Sequence, residues 1–160
     1  LETVKKICNS GARSSVLTHT GFSVLIGACA NEDSDPKVVK FLLKLLDRVD
    51  DLDLCGDVNF QVRSQTLKWK ILRGAAKVLA HGHVVTSALT NRLAHQAGLT
   101  ALHYAARRGD VEIVKLLLEA GADPYIENEM GLNSLDITEK FGPFPSVQRV
   151  LREYMNENKD

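Results

Sequence analysis

The sequence predicts an all-α fold, a solenoid of stacked helix pairs, on three observations. A glycine-led string recurs at a fixed interval: Gly98-Leu99-Thr100-Ala101-Leu102 returns 33 residues later as Gly131-Leu132-Asn133-Ser134-Leu135, and Gly21-Phe22-Ser23-Val24-Leu25 has the same pattern of glycine, apolar, hydroxyl, any, apolar. Periods of this length are the mark of repeat architectures, in which each unit buries its apolar face only against its neighbours. Secondly, Leu1 to Leu25 lies without a gap on Val111 to Leu135, with seven identities in 25 positions: Glu2, Val4, Lys5, Gly11, Ala12, Gly21 and Leu25. Thirdly, the apolar residues between cap and stop signals keep helical rather than strand periodicity.

Taken in order, Leu1 to Ser10 aligns with the second helix of a unit, so residues 1–20 form a half repeat. The repeat 21–56 contains a short helix, Ser23 to Asn31, and a longer one from Pro36 to about Val49, with Glu32-Asp33-Ser34-Asp35 lengthening the link. Proline suits a first helical position because its fixed φ is already helical and its missing N–H has no partner there anyway. From Gly21 to Gly98 the interval is 77, two units of 33 plus 11 residues, which predicts a degenerate, enlarged repeat over 57–97. Its first stripe is Leu67, Ile71, Leu72, Ala75, Ala76, Val78 and Leu79, its turn His81-Gly82-His83, and its second stripe Val84, Val85, Ala88, Leu89 and Leu93. The clearest repeat, 98–130, opens with Thr100 capping a helix to Arg108 that Gly109 ends. Asp110 caps a second helix, Val111 to Ala120, with Ile113, Val114, Leu117 and Leu118 as its stripe and Gly121 as its stop. Ala105 and Ala106 leave room for close helix approach, and Pro124 with Glu127-Asn128-Glu129 makes the turn outward. The last repeat, 131–155, ends in a helix from Ser146 to Met155 whose Gln148, Arg149, Arg152 and Glu153 suit a water-facing cap.

The string Gly98-Leu99-Thr100-Ala101-Leu102-His103-Tyr104-Ala105-Ala106-Arg107-Arg108-Gly109-Asp110-Val111-Glu112-Ile113-Val114-Lys115-Leu116-Leu117-Leu118-Glu119-Ala120-Gly121-Ala122-Asp123 resembles the ankyrin repeat, with Ala101 where that family usually has proline. Gly56-Asp57-Val58-Asn59 is similar to the sequence that closes many such repeats. The resemblance implies a curved ankyrin-repeat α-solenoid of helix pairs with β-hairpin or turn fingers between successive units. It implies that His103 bonds to backbone in the neighbouring finger, with Ile26 and Asp136 standing at the equivalent positions, and Asn59 resembles an asparagine that cytosolic hydroxylases modify. It also implies a recognition surface of finger tips and the exposed side of each first helix. Carried over position by position, that surface is Thr18, His19, Thr20, Phe22, Gly27, Ala30 and Asn31. It continues through His95, Gln96, Leu99, Tyr104, Arg107 and Arg108 to Asn128, Glu129, Met130, Leu132, Ile137 and Lys140. Tyr104, Arg107 and Arg108 lead the set because tyrosine and arginine combine large desolvated area with directed hydrogen bonds. The finger Gln61 to Thr66 is a second candidate.

Composition narrows the function. Twenty basic against twenty acidic residues give no net charge, which removes the global field that draws a chain to phosphate backbones or anionic lipid. The apolar run Val38 to Leu46 is broken by lysines well short of the roughly 20 residues of a membrane span. Cys8, Cys29 and Cys55 are an odd, scattered set, so neither disulfides nor a thiolate zinc site is expected, and a reducing compartment, cytoplasmic or nuclear, fits. Leu1 in place of Met, without a signal-peptide pattern, suggests an excised part of a longer protein. No phosphate loop, dinucleotide fingerprint, nucleophile elbow or zinc-protease motif is found, and the acidic run Asp47 to Asp53 lacks the glycine and distal glutamate of a calcium loop. His81, His83 and His95 lack a carboxylate or thiolate at ligand spacing, so no metal or cofactor is expected. Lys68, Lys70, Arg73 and Lys77 around Trp69 do not share one helical face and read as a solvated surface, which leaves nucleic-acid binding as the weaker alternative. The expectation is a non-catalytic protein-interaction module with a protein or peptide partner, monomeric within a larger chain. Docking inside its own parent chain is the rival.

Overall fold

The computed structural model describes residues 2, 17, 21–46, 57–62, 71, 74, 75, 78 and 97–158 of the chain. Among them run six helices: α1 (Val24–Ala30), α2 (Pro36–Leu46), α3 (Ala101–Arg108), α4 (Val111–Glu119), α5 (Ser134–Phe141) and α6 (Pro145–Glu157). Each start has a local cause. Ser23 Oγ accepts from the Ile26 N–H at 3.2 Å, Asp110 Oδ1 from Ile113 at 3.0 Å, and Asn133 Oδ1 from Leu135 and Asp136 at 2.9 and 3.0 Å. These oxygens satisfy amide donors that a helix leaves open in its first turn. α2 and α6 begin instead on Pro36 and Pro145.

The helices stack in two rows. α1 packs on α3 and α3 on α5; behind them α2 packs on α4 and α4 on α6, and each short helix touches the longer one that follows it. One continuous core fills the space between the rows, from Leu25, Ile26, Cys29, Val39 and Leu42 through Leu99, Leu102, Ile113, Val114 and Leu117 to Ile137, Val147 and Leu151. Ala105 and Ala106 are wholly buried, as the expected close approach requires. The fingers are turns closed by paired backbone bonds, with no strand among the described residues.

α1 lies directly on α3 and α2 directly on α4, so the helix pairs that follow Gly21 and Gly98 are neighbours among the described residues, and most of the repeat expected over 57–97 lies outside them. The Val62 N–H donates to the Leu99 carbonyl at 2.9 Å and the Gly98 N–H to Val62 at 3.0 Å; one repeat on, Asn128 donates to Leu132 and Gly131 to Asn128, both at 3.0 Å. The two closures are equivalent, but 63–97 stands in the first where Glu129 and Met130 stand in the second. The surplus in the first equals one repeat length. The first stripe expected over 57–97 changes: helical Ile71 and Val78 are 63% and 72% exposed, and Ala75 is exposed between them, so these three do not lie in the core. The half repeat 1–20 falls almost wholly outside the described residues.

Two outcomes follow from this geometry. Replacing 63–97 by a two-residue Glu-Met tip should leave one cooperative unfolding transition, with the melting temperature within about 5 °C of the parent chain, since among the described residues the backbone pair that closes this finger joins Val62 to Gly98 and Leu99. Loss of cooperative melting would contradict the finger assignment. Gly98 holds φ +76°, and a Cβ there would lie 2.8 Å from the Glu129 backbone nitrogen. Gly98→Ala should therefore destabilise by about 2 kcal/mol or more, whereas Gly27→Ala, in a helix with nothing within 4 Å of the added carbon, should stabilise by roughly 0.5–1 kcal/mol in urea melts.

The recognition face as a candidate functional site

The face to be judged is built by the C-terminal ends of α1, α3 and α5 and by the fingers. Most of its polar groups are engaged between successive repeats. His103 is fully buried: its Nδ1 accepts from the Thr100 N–H at 3.1 Å and lies 2.8 Å from Thr100 Oγ1, and its Nε2 lies 3.1 Å from the Leu132 carbonyl. An acceptor at Nδ1 fixes the neutral tautomer that donates from Nε2, so the ring joins its own helix cap to the next finger, as the family resemblance implies. Burial pushes its pKa down from 6.5 to about 4, against the opposing pull of the Leu132 carbonyl and Asp136. At the equivalent place Asp136 closes a capping box instead, its Oδ2 accepting from the Asn133 N–H at 2.9 Å, and Ile26 is buried apolar surface.

Arg108 acts as a staple. Its guanidinium donates to the Asn31 carbonyl and, at 3.1 Å, to that of Ser34, and it pairs with Asp110 at 3.3 Å while its side chain is 17% exposed. Arg107 lies 4.7 Å over the Phe141 ring of the next repeat, a cation–π contact. Asn59 does the same work between fingers, its amide donating to the Gly121 carbonyl at 3.2 Å and its oxygen accepting from the Asp123 N–H at 2.8 Å; Gln61 donates to the Glu127 carbonyl at 2.9 Å. Asn128 is buried and shapes its own tip by accepting from the Met130 and Leu132 amides at 2.9 and 3.1 Å.

Several residues expected on the surface are therefore not there. Tyr104 is 7% exposed, its ring 5.5 Å from that of Phe22. It is covered from the preceding repeat by the Phe22 ring. Leu99 is core, because the residue after the finger glycine turns inward. Asn128 is inward for the reason above, and Arg108 is held by three partners. Asn31 and Glu129 are exposed, while Phe22, Arg107 and Met130 are half-buried. Lys140, one repeat beyond Arg107, is exposed in the last turn of α5. His95 and Gln96 lie outside the described residues, as do Lys68, Lys70, Arg73 and Lys77; the described positions of that helix, Ile71, Gly74, Ala75 and Val78, present no basic side chain. What the sequence hid was the acceptors: Asn31 and Ser34 hold Arg108 by backbone carbonyls, which no residue type announces.

Cys29 is a buried thiol whose pKa burial pushes up to about 12, with the Arg108 charge opposing and Asp110 adding to the rise, so it stays an inert core group. Among the described residues no cluster of three His, Cys, Asp or Glu could hold a metal, and no helix is long and apolar enough to cross a membrane.

Residues 97–129 match the ankyrin repeat family. A mitochondrial disaggregase of Bos taurus is 30% identical over 136 residues, 85% of this chain and 19% of that protein, and one of Rattus norvegicus is 40% identical over 72 residues, 43% of this chain and 11% of that protein. Protein phosphatase 1 regulatory subunit 27 of Homo sapiens is 42% identical over 57 residues, 36% of each chain. The chain thus spans only about a tenth to a fifth of these two disaggregases. The repeat and the regulatory-subunit relative support a protein-interaction module.

The buried histidine makes stability pH-dependent with a definite sign. Its folded pKa lies below the unfolded 6.5, so the unfolded chain binds the extra proton between pH 6.5 and about 4, and stability falls as pH drops through that window. A shift of this size corresponds to about 3 kcal/mol. Urea midpoints of the parent chain should decline over this range more steeply than those of His103→Asn; parallel curves would show that the imidazole is not held neutral.

Proposed function

We propose that this chain, whose residues 97–129 match the ankyrin repeat, is a non-catalytic module that binds an acidic, extended segment of an intracellular protein partner across its first-helix ends and finger tips. The observation that carries this reading is a row of basic residues. Arg107 and Lys140 fall 33 residues apart in the last turns of α3 and α5, helices that pack side by side. Asn31 takes the neighbouring place at the C-cap of α1, and Glu129 and Met130 form the adjacent tip. Phe22 borders the row from the first finger. A groove whose basic groups repeat at the helix spacing fits a chain whose carboxylates repeat along an extended backbone. The set differs from the sequence expectation by giving Arg108, Tyr104, Leu99 and Asn128 to the scaffold.

The match of 42% to a phosphatase regulatory subunit supports a regulatory rather than a catalytic role, since that relative is named as a regulator. A fluorescence-polarisation titration with a labelled acidic extended peptide tests the site. Arg107→Glu with Lys140→Glu should weaken binding at least about tenfold, roughly 1.4 kcal/mol, and weaken it more at low salt. Asn31→Ala alone should cost less than half of that in free energy. An unchanged affinity in the double variant would remove the row from the binding surface.

A further inference from the structure

The opposite side of the stack carries a second surface, made by the longer helices. Between α4 and α6 runs an open groove of about 420 Å³, floored by Leu118, Val150 and Tyr154. Its rims are charged in order. Along α4 Lys115 precedes Glu119 by about one turn, and along α6 Arg149 precedes Glu153 and Glu157 by about one and two turns. None of these five charges is in an ion pair among the described residues. The arrangement also runs against the helices' own electrostatics. Glu119 and Glu157 are the last residues of α4 and α6, neither of which has a basic residue in its last turn. A helix C-terminus carries partial negative charge, so carboxylates there are disfavoured unless something else compensates them. Local conflicts of this kind, left uncompensated within the chain, are found at functional surfaces.

We propose that this groove docks an amphipathic helix of a protein partner, acidic in its first turn, aliphatic along one face and basic in its last turn, lying parallel to α4 and α6. The charge order selects that occupant. Acidic groups at its N-terminus meet Lys115 and Arg149, and basic groups at its C-terminus meet Glu119, Glu153 and Glu157, an arrangement that its own dipole also favours. Eight residues separate Arg149 from Glu157, about 12 Å along the axis, so two to three turns of the occupant span the rims while its aliphatic face covers Leu118, Val150 and Tyr154. The surface is separate from the basic row of Arg107 and Lys140, so it stands or falls independently of the site proposed above.

The test uses the whole chain with two synthetic helical peptides of identical composition, one carrying acidic first-turn and basic last-turn residues around a leucine stripe, the other with the same charges alternating. Backbone amide shifts recorded by NMR should change at Leu118, Val150 and Tyr154 with the first peptide and at least about fivefold less with the second. Glu153→Lys with Glu157→Lys should weaken the first peptide at least about tenfold, and a third peptide whose last-turn lysines are replaced by glutamates should regain that affinity on the variant. Arg107→Glu with Lys140→Glu should leave both readouts unchanged. Shifts scattered over the surface, equal response to both charge orders, or no recovery by the third peptide would overturn the assignment.

Discussion

The two backbone bonds that join Val62 to Gly98 and Leu99 are the constraint on which the rest of the structure depends. They bring together chain segments far apart in sequence and set them in the register that Asn128, Gly131 and Leu132 repeat in the next finger. Once that register is fixed, α1 is seated on α3 and α2 on α4, and the core runs without a break from Leu25 to Leu151. The surrounding bonds defend it. Gln61 and Asn59 tie the first finger to the second, and the Glu129 amide donates to Ala97 at 3.2 Å, just before the returning strand of chain. A closure spanning more than thirty residues carries an entropic cost that grows only slowly with length, about 0.6 kcal/mol for each doubling, so a few well-made bonds and one apolar interface suffice to hold it.

Much of this was legible. The helix starts at Ser23, Pro36, Thr100 and Asp110, the stops at Gly109 and Gly121, and the buried pair Ala105-Ala106 were all set by local chemistry that a sequence displays directly: a side-chain oxygen at a cap, a residue that tolerates positive φ, a small side chain where helices meet. The direct seating of α1 on α3 and of α2 on α4 was not legible, because spacing along the chain does not say which helices meet. Nor was the inward turn of Tyr104. Whether a tyrosine at helical position 104 is exposed depends on what the preceding repeat places against it; the ring of Phe22 does so here, and it lies in a different unit.

Arg107 and Arg108 show the same limit from another side. They are adjacent and chemically alike, yet one leans forward onto Phe141 and the other reaches back to Asn31 and Ser34. Arginine serves this purpose because its planar fork can hold two carbonyls while still facing Asp110. An enumeration of variable positions treats the pair as one surface; the partners divide them into one residue held against the preceding repeat and one laid on the next.

A pattern runs through these polar groups. His103 reaches Leu132, Arg107 reaches Phe141, Arg108 reaches Asn31 and Ser34, and Asn59 reaches Gly121 and Asp123, so each bond crosses from one repeat to its immediate neighbour. In a stack whose cohesion is a sum of nearest-neighbour terms, such bonds set the pitch of successive units without involving the outward groups. Lys140 on one side, and Lys115, Arg149 and the glutamates on the other, make no such bond among the described residues, whereas a change at His103 or Arg108 removes a contact between one repeat and the next. The division between residues that hold the register and residues that point outward is drawn by which interface each side chain crosses, and only secondarily by its chemical type.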